Sequence, residues 1–353
     1  MTHPALSSKV YQVGDSLEAI EMYYEKDWTD GLPVVPPTPA KVQQFIEYVG
    51  RRPDEILCQV PVRRRTVTVE KVAINAVMAG CLPRYMPVIV TAVEAMCDDR
   101  YNLHGSAAST GGSATLLIVN GPIVKELEIN SGMNLFGPGC RANATIGRAL
   151  RLVLMNVCGS IPGTLDRTTM GHPGKYTYCI AEKEDDSPWE PYHVEKGFDP
   201  DTSTVTVMPA LGPHQIGAQT SNTAESLLTS FASTMVAMSG YREGSNWGLG
   251  SCVIVIGGEH RGVITREGWD KKQVKEFLYQ RSIRSAAELK RWGTMPGEMK
   301  PGDDEKMLAA VRSADEIIVL AAGGGGTWSV CIAPWAEGRQ AGPVTRAIAI
   351  GAK

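Results

Sequence analysis

Residues 116–121 read LLIVNG and run on as PIVKELEINSG, while residues 253–258 read VIVIGG and run on as EHRGVITREG. An unbroken apolar run ending in Asn-Gly or Gly-Gly has the character of a strand buried on both faces. Aligning Gly121 with Gly257 sets Gly132 opposite Gly268, eleven residues on in both copies. A helix is expected next in each, over 143–156 in the first and 271–281 in the second. Helical sequence also precedes each strand, at 67–79, 87–96 and 223–238. These matches predict an α/β fold, an internally duplicated α/β unit with mixed sheets. The first repeat spans 56–200 and the second 201–353, behind an N-terminal helical arm over 1–55.

The arm has its own punctuation. Ser16 reads as the cap of a helix over 16–26. The segment 27–39, DWTDGLPVVPPTP, carries four prolines in thirteen residues and is expected to be irregular, because proline fixes φ and removes a donor. Thr38 then caps a second helix, with Pro39 in its first turn and Gly50 at its end. Further helices are expected at 261–267 and 286–292, strands at 252–256, 316–321 and 344–350, and a loop of small residues over 104–114.

Composition narrows the function classes. The chain has 353 residues, 43% hydrophobic and 21% charged, enough for one large domain or two smaller ones with a sizeable core. A net charge of −3 gives no support to a nucleic-acid surface. Arg63, Arg64 and Arg65, the one basic cluster, precede an alternating TVTV run and read as a solvated loop or strand edge. No window approaches the ~20 apolar residues of a membrane span, and MTHPALSSK lacks a signal-peptide pattern. Eight scattered cysteines form no C-x-x-C pair, which fits a reduced, cytoplasmic chain.

Chemistry-bearing residues concentrate between Asn134 and Glu182. The turn Gly137-Pro138-Gly139 leads into a helix bearing Arg141, Asn143, Thr145 and Arg148. Glycines permit close backbone approach, and a helix N-terminus presents free N–H groups and partial positive charge. Gly137, Gly139, Arg141, Asn143 and Arg148 are therefore candidates for binding a carboxylate or phosphate. Ile146, Leu150, Val153, Leu154 and Val157 mark the helix's buried face, which places Arg141, Thr145 and Arg148 opposite. A second run supplies proton-transfer groups: Asp166, His172, Lys175, Cys179 and Glu182. His172 sits on a Gly-His-Pro turn and titrates near neutrality. Lys175 becomes a base or nucleophile if desolvated. Cys179 lies on an apparent strand, YTYCIAE, facing away from Tyr178 and Ile180, where the plain reading is a small apolar residue. His104 and His214 occupy further loops and join the candidates, His104 as catalytic and His214 as binding. With His193 they make three loop histidines, but no H-x-H or H-x-x-x-H spacing supports a metal, and none is expected. The glycine run 323–326 and the segment 246–250 read as permissive loops, the first able to cover a ligand.

The segments DWTDGLPVVPPT (27–38), NAVMAGCLPRYMPVI (75–89), NLHG (102–105), GPGCRANATIGRA (137–149) and GHPGKYTYCIAE (171–182) carry a resemblance that covers residues 16–353. The chain resembles a family of uncharacterised bacterial proteins associated with UGSC-type selenoproteins. That resemblance implies a cytoplasmic enzyme, or enzyme subunit, of small-molecule metabolism. It does not carry over the selenol or dithiol chemistry, because Leu249 precedes Gly250-Ser251-Cys252 here. The loops SAASTGGSA and GGGGTWSV also depart from the family form.

The expectation is an enzyme acting on a small anionic organic substrate by acid–base chemistry, without a bound organic cofactor. Elimination, addition and hydrolysis are favoured, since these need only acid–base groups and oxyanion-type donors. One rival is a non-catalytic subunit of a heteromeric complex, with the Pro- and Trp-rich segments 27–39 and 187–193 as exposed anchors. Another is a thiol-dependent oxidoreductase built on Cys179. Expected partners are the substrate and either further copies of the chain or a partner subunit, with no nucleic acid and no membrane.

Overall fold

The computed structural model describes residues 6–239, 250–335 and 341–349. The arm comprises α1 (Ser16–Glu25) and α2 (Pro39–Val49). Asp15 rather than Ser16 caps α1, its carboxylate accepting from the N–H groups of Leu17 and Glu18. Thr38 caps α2, and Gly50 ends it at φ 66°, a left-handed conformation that costs glycine nothing. Beyond the arm lies an antiparallel hairpin of β1 (Ile56–Val60) and β2 (Arg65–Thr68), which replaces the start of the helix expected at 67. Then come α3 (Val69–Met78), α4 (Met86–Met96) and α5 (Leu103–Ala108), the last within the expected small-residue loop. Arg64 and Arg65 are exposed at the hairpin turn, as a solvated edge requires. Arg63 instead reaches back to donate to the C=O of His104 (3.0 Å) and of Cys158 (3.3 Å).

The first repeat comprises β3 (Ala114–Asn120), α6 (Ile123–Glu126), α7 (Arg141–Asn156), β4 (Cys179–Ala181) and α8 (Tyr192–Glu195), and β5 (Thr204–Gly217), beyond the boundary expected at 200, completes its strand triplet. The second starts with α9 (Ala224–Met238), β6 (Cys252–Ile256), α10 (Gly258–Arg266) and α11 (Lys271–Arg281). It continues through β7 (Arg284–Ser285), α12 (Ala286–Arg291), β8 (Met307–Leu308), β9 (Ile317–Ala321), β10 (Trp328–Pro334) and β11 (Val344–Ala347). Of the 246–250 loop only Gly250 falls among the described residues, as do all but the last residue of the strand expected at 344–350.

One sheet joins both repeats in the order β4-β3-β5-β10-β6-β9, with β11 also paired to β5. β3 is parallel to β4 and β6 to β9; the other pairs are antiparallel. The triplets β4-β3-β5 and β9-β6-β10 therefore repeat one topology about the β5–β10 junction. In each, the two parallel strands begin 65 residues apart. The duplication anticipated from LLIVNG and VIVIGG is thus present in the strand order.

The sheet curls until its edge strands meet beyond their C-terminal ends, where Lys183 N–H donates to Ala321 C=O at 2.7 Å. Alternation then decides which side chains go where. Leu116, Ile118, Tyr178, Ile180, Met208, Val253, Val255, Ile318, Leu320 and Ile332 pack together on the inner face. Leu117, Val119, Cys179, Ala181, Val205 and Val207 face outward against α2, α3, α4 and α7. Cys252, Ile254, Ile256, Ile317, Val319 and Cys331 do the same against α9, α11 and α12. Both faces of every central strand are covered, which explains the unbroken apolar runs.

The arm is bound to this body by charge. Arg148 on α7 pairs with Asp30 through two hydrogen bonds of 2.8 Å and also donates to the C=O groups of Leu32 and Pro33. Asn156 donates to Trp28 C=O at 3.0 Å. The segments proposed as exposed anchors are not exposed in their aromatic parts. Trp189 and Tyr192 are 6% and 1% accessible, and Trp28 packs edge-on against Tyr11 and Tyr23.

Cys58 on β1 and Cys97 at the end of α4 form a disulfide, with Cα atoms 5.7 Å apart. The sequence reading of a wholly reduced chain is corrected here: spacing cannot show a pair that only the fold brings together. A loop of this length predicts roughly 4 kcal/mol of stabilisation by the chain-entropy relation. Thiol titration of the unfolded, unreduced protein is expected to count the six free cysteines, rising to eight after reduction. Eight before reduction would show the pair to be open.

Candidate functional site

The residues of 134–182 separate into three places. The first is the Gly-Pro-Gly turn at the start of α7. It borders an open groove with Tyr85, Glu128 and Met133, but its candidate ligands are already occupied. Arg141 donates twice to Gly80 C=O, at 3.0 and 2.9 Å, holding the turn after α3. Asn143 is buried, accepts from Asn130 N–H at 2.7 Å and donates to the C=O groups of Asn130 and Cys179. Arg148 is the arm's clamp. Gly137 N–H closes a turn onto Asn134 C=O at 2.8 Å, and Gly139 sits at φ 119° with open space where a Cβ would be. These residues hold the backbone together, and Arg141, Asn143 and Arg148 leave an incoming anion few donors.

The second place is the exit end of β4. Glu182 is buried and fully engaged: it accepts from Asn120 Nδ2 (2.8 Å) and Tyr192 N–H (2.7 Å) and pairs with Lys271 (3.3 Å). Cys179, the first residue of β4, belongs to the outer core, and burial pushes its thiol far above the ordinary range. That is the opposite of an activated nucleophile. Both faces of β4 are covered, so facing away from Tyr178 puts Cys179 against the helices rather than towards solvent.

The third place lies at the entry ends of β3 and β4. Here α7 packs so closely that a Cβ on Gly147 would stand 2.3 Å from Thr177 Oγ1 and 2.7 Å from Tyr178 N. Four residues on, Arg151 faces the same way and meets Asp166. A small recess of about 30 Å³ opens between α5, β3, α7 and the loop 160–175. Asp166, Lys175 and Arg151 line it, with Ser106, Ser113 and Ser160, Tyr101 and Thr115, and an apolar part made by Leu103, Ala107, Ala114 and Leu154. Lys175 Nζ contacts Asp166 (2.9 Å), Thr168 Oγ1 (2.8 Å) and Ser113 C=O (3.3 Å). Arg151 Nη2 donates to Asp166 at 3.2 Å. Its Nε and Nη1 have no hydrogen-bond partner among the described residues.

The electrostatics follow from one carboxylate facing two cations. Burial alone would raise the Asp166 pKa, but hydrogen bonds from Thr168 N–H and Lys175, and the charges of Lys175 and Arg151, outweigh it and lower it. Lys175 is lowered, because burial removes more from its ammonium than a carboxylate shared with Arg151 returns. The triad keeps one positive charge in excess beside a polar recess.

His172 stands behind Gly174. Its Nδ1 accepts from Gly174 N–H at 3.2 Å, its ring meets Tyr178 edge-on, and its buried Nε2 has no partner. Burial lowers its pKa, the backbone of Gly112 and Ala210 offsetting part of the effect, so the imidazole is held neutral. His104 is exposed and accepts from Arg63 Nε at 3.3 Å; His214 is exposed on β5. His193 is wholly buried in α8, so the three histidines do not converge. No three His, Cys, Asp or Glu groups are placed to share a metal among the described residues. The glycine run 323–326 precedes β10 and abuts α10, where Ser329 and His260, 3% and 1% accessible, form a buried 2.8 Å hydrogen bond.

Of the expected site residues the structure brings Asp166 and Lys175 together, with His172 beside them, and sets against them Arg151, which the sequence reading did not name. The signal was there: Asn143, Gly147 and Arg151 recur every four residues, one stripe of α7. Neither protein-family models nor curated proteins match the chain. No helix among the described residues is long and apolar enough to cross a membrane.

Burial lowers the pKa of His260 as it does that of His172, so both rings are held neutral near pH 7. Above 6.5, the ordinary histidine value, neither folded nor unfolded chain is protonated at these sites, and their contribution to stability is complete. Below it the unfolded chain takes up protons first, so stability falls until the lowered folded-state values are reached. The melting temperature of the wild type should drop between pH 6.5 and 5 more steeply than that of His172→Gln/His260→Gln. Equal slopes would show that neither ring is held neutral.

Proposed function

We propose that the recess between α5, β3, α7 and the loop 160–175 is the site of an enzyme acting by acid–base chemistry on a small anionic organic substrate. The single observation that carries this is the Arg151–Asp166–Lys175 triad, two cations on one carboxylate, lining a recess together with three serines, Tyr101 and Thr115. Arg151 would anchor the anion, since a guanidinium offers two parallel donors to a carboxylate. Lys175 would move the proton: a desolvated lysine has more of its neutral form near neutrality and serves as acid or base. Asp166 and Thr168 orient it. His172 would support the turn that carries Gly174 and Lys175. The reaction class remains elimination, addition or hydrolysis. The resemblance to UGSC-associated proteins, which implies small-molecule metabolism, agrees with this.

The raised thiol of Cys179 disfavours the oxidoreductase rival, and the buried Trp189 and Tyr192 disfavour segment 187–193 as a docking anchor. A ligand that binds only the folded state raises its melting temperature, by the equivalent of about 2.7 kcal/mol at a hundred times Kd. Small carboxylates should therefore raise the melting temperature of the wild type and leave Arg151→Met unmoved. Arg151 is the residue to change, because deleting Asp166 would strand two buried cations at a cost of about 3–5 kcal/mol. A shift of equal size in both proteins, or in neither, would remove the site.

A further inference from the structure

The segments that frame the recess carry a one-sided charge. Loops 103–113 and 158–175 supply much of its lining, and the turn of the β1–β2 hairpin, 61–66, reaches both through Arg63. These three segments hold Arg63, Arg64, Arg65, Arg167 and Lys175 against a single carboxylate, Asp166, in a chain whose net charge is −3. Asp166 is already shared by Lys175 and Arg151. The other four guanidinium groups have no carboxylate partner among the described residues.

Two of the four stand together. Arg63 donates to His104 C=O (3.0 Å), Cys158 C=O (3.3 Å) and His104 Nδ1 (3.3 Å). None of these acceptors carries a negative charge, so the charge of Arg63 stays uncompensated. Arg65 is exposed and lies over Gly159, its Nε 3.7 Å from where a Cβ on that glycine would stand. It has no hydrogen-bond or ion-pair partner among the described residues. Burial pushes the Cys158 thiol up to about 11, and Arg63 and Arg65 both pull against it, which puts the two guanidinium groups within reach of one point. Arg167, exposed beside Asp166, spends one N–H on Thr164 C=O (2.7 Å) and adds to the same field. A monocarboxylate in the recess would neutralise the triad and leave this rim as it is. Phosphate monoesters carry a charge of about −1.5 to −2 and three acceptor oxygens, which suits several guanidinium groups at once.

We propose that Arg63 and Arg65 hold the phosphate of a phosphorylated carboxylic acid whose carboxylate enters the recess at Arg151. The inference rests on the anion-binding reading of the recess and adds the substrate class. Cys158 lies two turns beyond Arg151, roughly 10 Å along and just past α7. Carboxyl and phosphate therefore belong at opposite ends of a chain of several carbons. The phosphate is a handle: it stays at the exposed rim, and no bond to it forms or breaks. Binding energy from such a remote group serves to position the reacting atoms.

The test is calorimetric titration of the full chain at low ionic strength, since salt at 0.1 M screens exposed charges beyond about 10 Å. The probes are glycerate against 3-phosphoglycerate, gluconate against 6-phosphogluconate, and inorganic phosphate alone. At least one phosphorylated acid should bind the wild type about tenfold tighter than its parent acid, the range of a charge-assisted hydrogen bond, and tighter than inorganic phosphate. Arg65→Gln removes no contact within the protein. It should erase most of that advantage while the melting temperature and the affinity for the parent acid stay unchanged. Arg63→Gln should do the same to the advantage, and Arg151→Met should weaken both members of the pair. Phosphorylated acids binding no tighter than their parents, or keeping their advantage in Arg65→Gln and Arg63→Gln, would overturn the handle and leave the anion site standing. Inorganic phosphate binding as tightly as the phosphorylated acids would show a basic surface without a substrate, and would also overturn it. No binding of any acid, phosphorylated or not, would overturn both readings. Should Arg63→Gln fail to fold, Arg65→Gln decides.

Discussion

The fold hangs on β5. This strand pairs with β3 along one side, and on the other with β11 at its start and β10 at its end. It belongs to the first repeat and receives the last strands of the second. Without it the two triplets would each present an open edge of unpaired N–H and C=O groups, which is costly to bury and prone to aggregation. With it, one curled sheet encloses an inner cluster, and each repeat's helices cover their own half of the outer face.

The recess is a consequence of that arrangement. β3 and β4 run parallel, so the loops that feed them, 104–113 and 160–178, arrive at the same end of the sheet. Gly147 lets α7 lie on the strand that leads into β4, and Arg151, four residues on, is thereby aimed at Asp166. The hairpin turn reaches the same neighbourhood, Arg63 holding the backbone of His104 and Cys158 beside α5. Glu182 stands just past the last residue of β4, at the other end of these strands. It joins a different, fully engaged charge network with Lys271 and Glu195. Proximity in sequence between 166 and 182 thus does not become proximity in space.

What could be read from the sequence follows physical lines. The repeat was legible because strands buried on both faces must be apolar throughout, and VIVI and LLIV have few other uses. The caps Thr38 and Gly50 were legible because the backbone needs those residue types at a helix start and end. β5 was hidden: Pro209, Gly212 and Pro213 argue against a strand, yet Pro209 and Pro213 stand in register opposite Thr115 and Ile332, and the pairing with β10 slips near Pro334. β10 was hidden by the glycines before it. In the site, Asp166 and Lys175 were legible as titratable groups on one turn-rich run. Arg141 and Arg148 were misread because an arginine on a polar helix face looks the same whether it meets a ligand, a carbonyl or the protein's own Asp30. Arg151 was missed because the apolar stripe drew attention to its neighbours Leu150, Val153 and Leu154.

The most direct measurement is a high-resolution crystal structure of the protein grown in acetate. The account predicts a planar group in the recess, with carboxylate oxygens at about 2.7–3.2 Å from Arg151 Nε and Nη1 and Asp166 still bridging Arg151 and Lys175. Water alone in the recess, with the Arg151 N–H groups turned onto protein carbonyls, would contradict it.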